Sequence, residues 1–477
     1  MQQISSLFAG NSVRRSANPG RVRDVAQSIA DGDVNPAKST PQRGQNGLHR
    51  DGTILHVNTH QLPWHGTSQQ PRQRTFAQST KLQDVLYEIR GPVHDHAARL
   101  EAEGHRILKL NIGNPAPFGF EAPDVIMRDM IQALPTAQGY SDSKGILSAR
   151  RAVVTRYELV AGFPRFDVDS VFLGNGVSEL ITMTLQALLD NGDQVLIPAP
   201  DYPLWTASTS LAGGTPVHYL CDETNGWQPD IADLESKITD RTKALVVINP
   251  NNPTGAVYSH EVLRQMADLA RRHQLLLLAD EIYDKILFDD AKHIPLASVA
   301  PDQRCLTFNG LSKAYRVAGY RSGWLVITGP TDHATSFIEG ISLLANMRLC
   351  PNVPAQHAIQ VALGGHQSIE DLVLPGGRLL EQRDVAWSKL NEIPGVSCVK
   401  PEGALYVFPR LDPEVHDIVD DEKLVLDLLL QEKILVTQGT GFNWPAPDHL
   451  RIVTLPWSRD LSNAIERLGN FLASYRQ

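Results

Sequence analysis

Six short apolar runs, at residues 171–173, 194–197, 244–248, 275–279, 305–308 and 324–327, alternate with longer stretches of helical character. In the first such stretch Leu180, Ile181, Leu185 and Leu188 recur at helical spacing. A strand that is apolar along its whole length, rather than at every second residue, has to be covered on both faces. Strands of this kind separated by helices predict a mostly parallel central sheet between helical layers, an α/β fold. A helical stretch around residues 332–364 leads into a final third of α+β character. There strands are expected at 396–399, 404–408 and 434–436 and a helix at 460–475. Ahead of the sheet, Leu82, Val85, Leu86 and Ile89 have helical spacing, and Gly91-Pro92 is expected to break that run.

Composition narrows the function classes. The 477 residues carry a formal charge of −9, the opposite of the basic footprint that nucleic-acid binding requires. The longest apolar stretches, such as 275–279, fall far short of the ~18 residues of a membrane span. Cys221, Cys305, Cys350 and Cys398 are scattered without CxxC spacing, so inert thiols and a reducing, cytoplasmic setting are expected, with no metal site. Residues 1–80 differ from the rest. They hold nine Lys or Arg, four Asp and no Glu, a charge of +5 against −14 for the remainder. Without an apolar period they bury too little to offset their ordering entropy and are expected to be a largely disordered extension. Their Arg-rich, acid-poor start resembles a transit peptide; a solvated tail or an early start site explains it equally.

Polar sequence clusters where the expected strands end, which is where open α/β sheets bind ligands. The run 171–173 leads into Gly174-Asn175-Gly176-Val177-Ser178-Glu179 and then a helix. Glycines at such a turn allow backbone N–H groups and the helix dipole to meet a phosphate, and they also serve as a plain turn. The run 244–248 ends in Asn249-Pro250-Asn251-Asn252-Pro253-Thr254-Gly255. Its two X-Pro steps favour extended backbone, with the asparagines either as amide ligands or as turn formers. After 275–279 comes Asp280-Glu281-Ile282-Tyr283. A carboxylate at that depth needs a cationic partner, such as a protonated ring nitrogen, unless it caps a helix. The run 305–308 enters Asn309-Gly310-Leu311-Ser312-Lys313, with Arg321 eight residues beyond the lysine. A desolvated lysine forms a Schiff base, and a guanidinium is a forked donor for phosphate.

Taken together, these residues resemble the class I pyridoxal-phosphate-dependent aminotransferases of fold type I. The resemblance runs from about Lys81 to the end of the chain. Its motifs stand in order: Asn111-Ile112-Gly113, Tyr140 with Gly145 and Arg150, Gly176-Val177-Ser178, Asp201-Tyr202-Pro203, Asn252-Pro253-Thr254-Gly255, Asp280 to Tyr283, Ser312-Lys313 with Arg321, and Leu450-Arg451-Ile452. Within the class, the bacterial alanine (glutamate–pyruvate) aminotransferases are the most similar family, through the runs 111–118, 198–205 and 347–357. The resemblance implies a large domain at 126–345 that holds pyridoxal 5'-phosphate. Residues 81–125 would form an N-terminal arm with part of a smaller α+β domain, and 346–477 the rest of it.

Carried over by position, it makes Lys313 the Schiff-base lysine and proton-transfer base, and Asp280 the partner of the ring nitrogen. Tyr283 and Asn252 would meet the ring oxygen, and Tyr202 would stack on the ring. Gly176, Val177, Ser178, Ser312 and Arg321 would hold the phosphate. Tyr140 would reach the phosphate of a neighbouring subunit, which implies a homodimer with shared sites. Arg451, with Gly113 and Asn252, would take the substrate carboxylate. Many relatives have a hydroxyl where this chain has Gly310. The implied reaction is amino transfer between L-alanine and 2-oxoglutarate by a ping-pong route. Arg90 is expected to meet the second carboxylate of glutamate, or else to be an exposed helix-end arginine. Two other functions remain open at this point: a β-lyase or cyclase on the same fold, and a ligand-sensing transcription regulator built on an aminotransferase-like domain.

Overall fold

The computed structural model describes residues 75–82, 85, 92–330 and 332–477. The expectations for residues 1–74, for most of the 82–89 run and for Arg90 lie outside the described residues. At the edge of that gap Thr80–Leu82 is a single 3-10 turn. Pro92 opens a helix, Pro92–Ala102. Proline suits the first helical position because its missing N–H has no intrahelical partner there.

Eight strands form the central sheet: β1 (Val171–Gly174), β2 (Gln194–Ala199), β3 (Thr215–Asp222), β4 (Gln228–Pro229), β5 (Thr242–Ile248), β6 (Leu276–Asp280), β7 (Cys305–Gly310) and β8 (Gly323–Thr328). Their spatial order is β1-β8-β7-β6-β5-β2-β3-β4. The run β7-β6-β5-β2-β3 is parallel, and β8 lies antiparallel between β1 and β7. The mostly parallel expectation holds, and β1 points the same way as the parallel strands, so their carboxyl ends share one edge. The sequence reading did not include β3. Its polar residues and Pro216 interrupt the apolar run, and Pro216 is tolerated near an edge where only Cys221 and Asp222 pair with β4.

Alternate residues of these strands feed two cores. Val195, Ile197, Val246, Leu278, Leu306 and Phe308 face one helical layer. Leu196, Leu245, Val247, Leu277 and Ala279 face the other. A third core lies between the helices Pro92–Ala102, Arg378–Asn391, Asp421–Glu432 and Ser458–Ser474, with Leu390, Leu424, Leu428, Ile452 and Leu468 among its members. Small sheets accompany it: Tyr406–Val407 and Thr437–Gln438 both pair antiparallel with Leu450–Val453. These strands are shorter than expected, and Ala404 with φ 60° marks the turn that delays the second of them.

The helical stretch at 332–364 is two helices, Thr335–Met347 and Val353–Gly364. Leu349 between them is left-handed at φ 72°, and the Asn352 side chain accepts from the Ala355 N–H to start the second helix. All four cysteines are free, and burial pushes the Cys221 and Cys398 thiols up to about 12. Among the described residues no helix is long and apolar enough to cross a membrane.

Candidate active site

The carboxyl edge of the sheet opens into a cavity of about 480 Å³. Gly113, Val177, Ser178, Tyr202, Asn252, Asp280, Tyr283, Ser312, Lys313, Arg321 and Arg451 all line it. The sheet register explains the convergence. Asp280 ends β6, opposite Ile248 of β5 and Phe308 of β7. The Asn249 N–H donates to the Asp280 carbonyl, and the Glu281 N–H donates to the Phe308 carbonyl. The loops bearing Asn252 and Lys313 therefore leave the sheet on either side of the carboxylate.

Asp280 is only 3% exposed. Its Oδ2 accepts from Trp205 Nε1 at 3.1 Å and its Oδ1 from the Ile282 N–H at 3.4 Å. Burial raises its pKa to about 6, with those hydrogen bonds pulling the other way. No helix starts after it, so the capping alternative falls. The next carboxylate faces the opposite way: Glu281 Oε1 accepts from the Leu296 N–H at 2.9 Å, and Oε2 lies 3.3 Å from His293 Nε2.

Lys313 Nζ donates to the Gly113 carbonyl at 2.8 Å and lies 5.7 Å from the centre of the Tyr283 ring. The hydroxyls of Tyr283 and Tyr406 are 2.7 Å apart. Burial, with Tyr406 beside it, raises the Tyr283 phenol well above its ordinary value. At Tyr406 burial also acts upward, but the cations of Lys313 and Arg451 outweigh it and hold this phenol below its ordinary value. Gly113 is required here, since a Cβ would run into the Tyr406 hydroxyl. Sequence reasoning missed Tyr406, which gave no signal beyond one tyrosine in an apolar run, and missed Trp205 as the donor to Asp280.

Two asparagines of the loop act as turn formers, and the third lines the cavity. Asn249 Oδ1 accepts from the Tyr258 N–H at 2.9 Å, and Asn251 Oδ1 accepts from Thr254 Oγ1 at 2.9 Å, so these two build the turn. Its first X-Pro bond, Asn249-Pro250, is cis. Asn252 faces the cavity, where its Oδ1 accepts from Arg451 Nη1 at 3.2 Å. Arg451 is 2% exposed, donates to the Asn111 carbonyl, and rests on the rings of Phe442 and Tyr406 at 4.4 and 4.6 Å.

Gly176, at φ 82°, precedes the helix Val177–Leu188. A Cβ on it would collide with the Arg321 guanidinium, so glycine serves both the turn and the close approach. Arg321 Nη2 donates to the Asn175 carbonyl at 3.3 Å. Behind the turn, the Asn175 N–H donates to Glu179 Oε2 at 2.8 Å, and Arg348 Nη1 pairs with the same oxygen at 2.5 Å. Gly310 pairs with Gly323, and a Cβ on it would lie 2.8 Å from the Ser322 carbonyl oxygen. The hydroxyl that many relatives carry there has no room in this backbone. Tyr140 is 82% exposed and outside this chain's cavity.

The family model for "Aminotransferase class I and II" matches residues 105–468. The chain belongs to that family. An alanine aminotransferase of Mycobacterium tuberculosis is 88% identical over 430 residues, 90% of this chain and 100% of that protein. The glutamate-pyruvate aminotransferase AlaA of Escherichia coli is 60% identical over 399 residues, 84% of this chain and 98% of that protein. A crystal structure of an Escherichia coli aminotransferase matches with a TM-score of 0.84 at 59% identity, covering 85% of this chain and 100% of that one. An alanine aminotransferase from Pyrococcus furiosus matches with a TM-score of 0.79 at 37% identity, covering 84% and 100%.

This family works with pyridoxal phosphate, and the cavity fits that group. A buried carboxylate with no ion pair among the described residues faces the cavity, complementary to a protonated ring nitrogen. At another corner a helix N-terminus, Ser178, Ser312 and Arg321 provide for an anion.

Asp280 also has a measurable cost. Its pKa rises from 3.8 unfolded to about 6 folded, so the folded state holds the proton longer. The group costs the cofactor-free fold nothing well below pH 4, progressively more up to about pH 6, and a constant amount above, at most about 3 kcal/mol. Asp280→Asn is therefore expected to unfold at higher temperature than the parent, cofactor-free, with an advantage that grows from about pH 4 to 6 and then levels. Melting curves across that range check it; an advantage independent of pH would contradict it.

Proposed function

We propose that this enzyme moves the amino group between L-alanine and 2-oxoglutarate, giving pyruvate and L-glutamate by a ping-pong route. The observation that carries the chemistry is the convergence of Lys313, Asp280 and Arg451 on one cavity. The names of the relatives at 88% and 60% identity support the choice of substrates.

Pyridoxal phosphate, when bound, supplies the electron sink that a Cα carbanion needs. The chain's own groups bind and orient. Asp280 keeps a negative charge against the ring nitrogen, and the desolvation that disfavours its ionisation makes that pairing strong. Tyr283 and Asn252 donate toward the ring oxygen, and Tyr202 covers a ring face. Val177, Ser178, Ser312 and Arg321 fix the phosphate. Arg451, braced by Asn252 and Asn111, holds the substrate carboxylate by a two-pronged contact, so that the Cα–H bond faces Lys313. Lys313 Nζ then moves the proton at Cα, and its contact with the Gly113 carbonyl marks the side from which it works.

A second copy of the chain completes the site in this reading. Tyr140, exposed and away from its own cavity, would reach the phosphate of the other subunit. Four scattered, unpaired cysteines support a reducing, cytoplasmic setting.

Titrating the cofactor-loaded enzyme with L-alanine, without a keto acid, is expected to remove the visible absorption band and release one pyruvate per site. Added 2-oxoglutarate should restore the band. A band bleached by other amino acids and untouched by alanine would overturn the substrate choice. Subunit sharing has its own check. Lys313→Ala and Tyr140→Ala homodimers should each be impaired, while mixed dimers regain activity because one site has both residues intact. No regain on mixing would place Tyr140 outside the shared site.

A further inference from the structure

A fully buried histidine without an assigned role lies two residues before Arg451. His449 is 0% exposed, and its backbone carbonyl accepts from the Gly439 N–H at 2.8 Å, extending the strand pair that carries Arg451. The period of two along a strand puts the side chains of His449 and Arg451 on one face. Between them stands a continuous column of rings. His449 stacks on Phe408 at 4.8 Å and 20°, Phe408 meets Phe442 edge-on at 6.2 Å, and the Phe442 ring carries the Arg451 guanidinium at 4.4 Å.

The base of that column is held by charge. His449 Nδ1 lies 2.7 Å from Asp448 Oδ1, and Nε2 lies 3.5 Å from Glu223 Oε1. Nδ1 is hydrogen-bonded to Asp448, while Nε2 makes a longer ionic contact with Glu223 and no hydrogen bond among the described residues. Burial pulls the imidazole pKa down, and the two carboxylates more than offset it, so the ring stays above its ordinary value. Asp448 is itself met by Trp444 Nε1 at 3.0 Å and by Arg410 Nε at 3.5 Å. Trp227 and Trp444 close the box edge-on at 5.4 and 5.1 Å.

Glu223 belongs to the 3-10 turn after β3 of the central sheet, whereas Asp448 and His449 lead into the arginine's strand. The histidine thus ties that strand to the far side of the sheet. Filling the space would need only an aromatic ring. Placing two carboxylates on its nitrogens fixes where the ring stands and how it is turned.

We propose that His449 is a positioning residue for Arg451: clamped between Asp448 and Glu223, its ring fixes the Phe408–Phe442 column on which the carboxylate-binding guanidinium rests. The inference rests on the reading of Arg451 as the residue that takes the substrate carboxylate.

The test uses the cofactor-loaded enzyme with L-alanine and L-glutamate and four chains: the parent, His449→Phe, Glu223→Gln and Arg451→Lys. His449→Phe keeps the stacking ring and removes both nitrogens; Glu223→Gln removes one charge and decides the matter if the phenylalanine variant does not fold. The expected result is a KM raised about tenfold in His449→Phe and about threefold in Glu223→Gln, with kcat within about twofold of the parent. Cofactor affinity, read from the visible band, should stay at the parent's value, because neither His449 nor Glu223 is among the residues assigned to the phosphate or the ring. KM values at the parent level in both variants would overturn the proposal. So would a joint loss of kcat, KM and cofactor affinity, the mark of general loosening. If Arg451→Lys leaves KM unchanged, the carboxylate reading fails and the inference with it; if only Arg451→Lys raises KM, the inference alone fails.

Discussion

A carboxylate at the end of a strand with no exposed residue is an expensive thing to build, and the site is organised around that expense. Asp280 has an indole and a distant amide for company, both neutral, and burial lifts its pKa to about 6. Trp205 is fixed in turn by edge-on contact with Phe308 at 5.3 Å, on the neighbouring strand. The carboxylate therefore cannot swing away to water and waits for a cation from the cavity side. Its main-chain groups carry the same constraint outward. The Asn249 N–H donates to the Asp280 carbonyl and the Glu281 N–H to the Phe308 carbonyl, locking the ends of three parallel strands together, so the amide of Asn252 and the amine of Lys313 both reach the cavity.

Around that fixed point, space is made by leaving atoms out. Gly113 gives up a side chain so that the Tyr406 hydroxyl can approach, and its carbonyl takes Lys313 Nζ. Gly176 does the same for Arg321. The opposite wall comes from the C-terminal part of the chain, where Arg451 rests on aromatic rings and reaches Asn252 across the cavity. Arg321 donates to the Asn175 and Ala318 carbonyls, and Arg451 donates to the Asn111 carbonyl and the Asn252 amide and lies over two rings.

Much of this was legible in the sequence because the relevant signals are local. All-apolar runs announce a doubly covered sheet, and the polar residues at their ends mark its binding edge, so β1, β2, β5, β6, β7 and β8 and most of the cavity lining follow from the string of residues. Strand β3 did not, because Pro216 and the polar residues Thr215, His218 and Asp222 interrupt its apolar run. The break at Arg348 to Asn352 inside an apparently helical stretch was legible and overlooked: Pro351 ends helical backbone and Asn352 caps the helix that follows. Tyr406, Trp205 and the His449 column were not legible in this way. Each acts through a partner 75 or more residues away, and nothing in the local sequence encodes such a contact.

On the proposed function, Asp280 is ionised in the loaded enzyme because it faces a protonated ring nitrogen. Nitrogen-15 NMR of enzyme loaded with ring-labelled pyridoxal phosphate reads that proton directly. The account predicts the chemical shift of a protonated ring nitrogen that stays constant from about pH 6 to 9, since separating the buried pair strands a charge. A nitrogen that is unprotonated near neutral pH, or that titrates within that interval as in free solution, would contradict it.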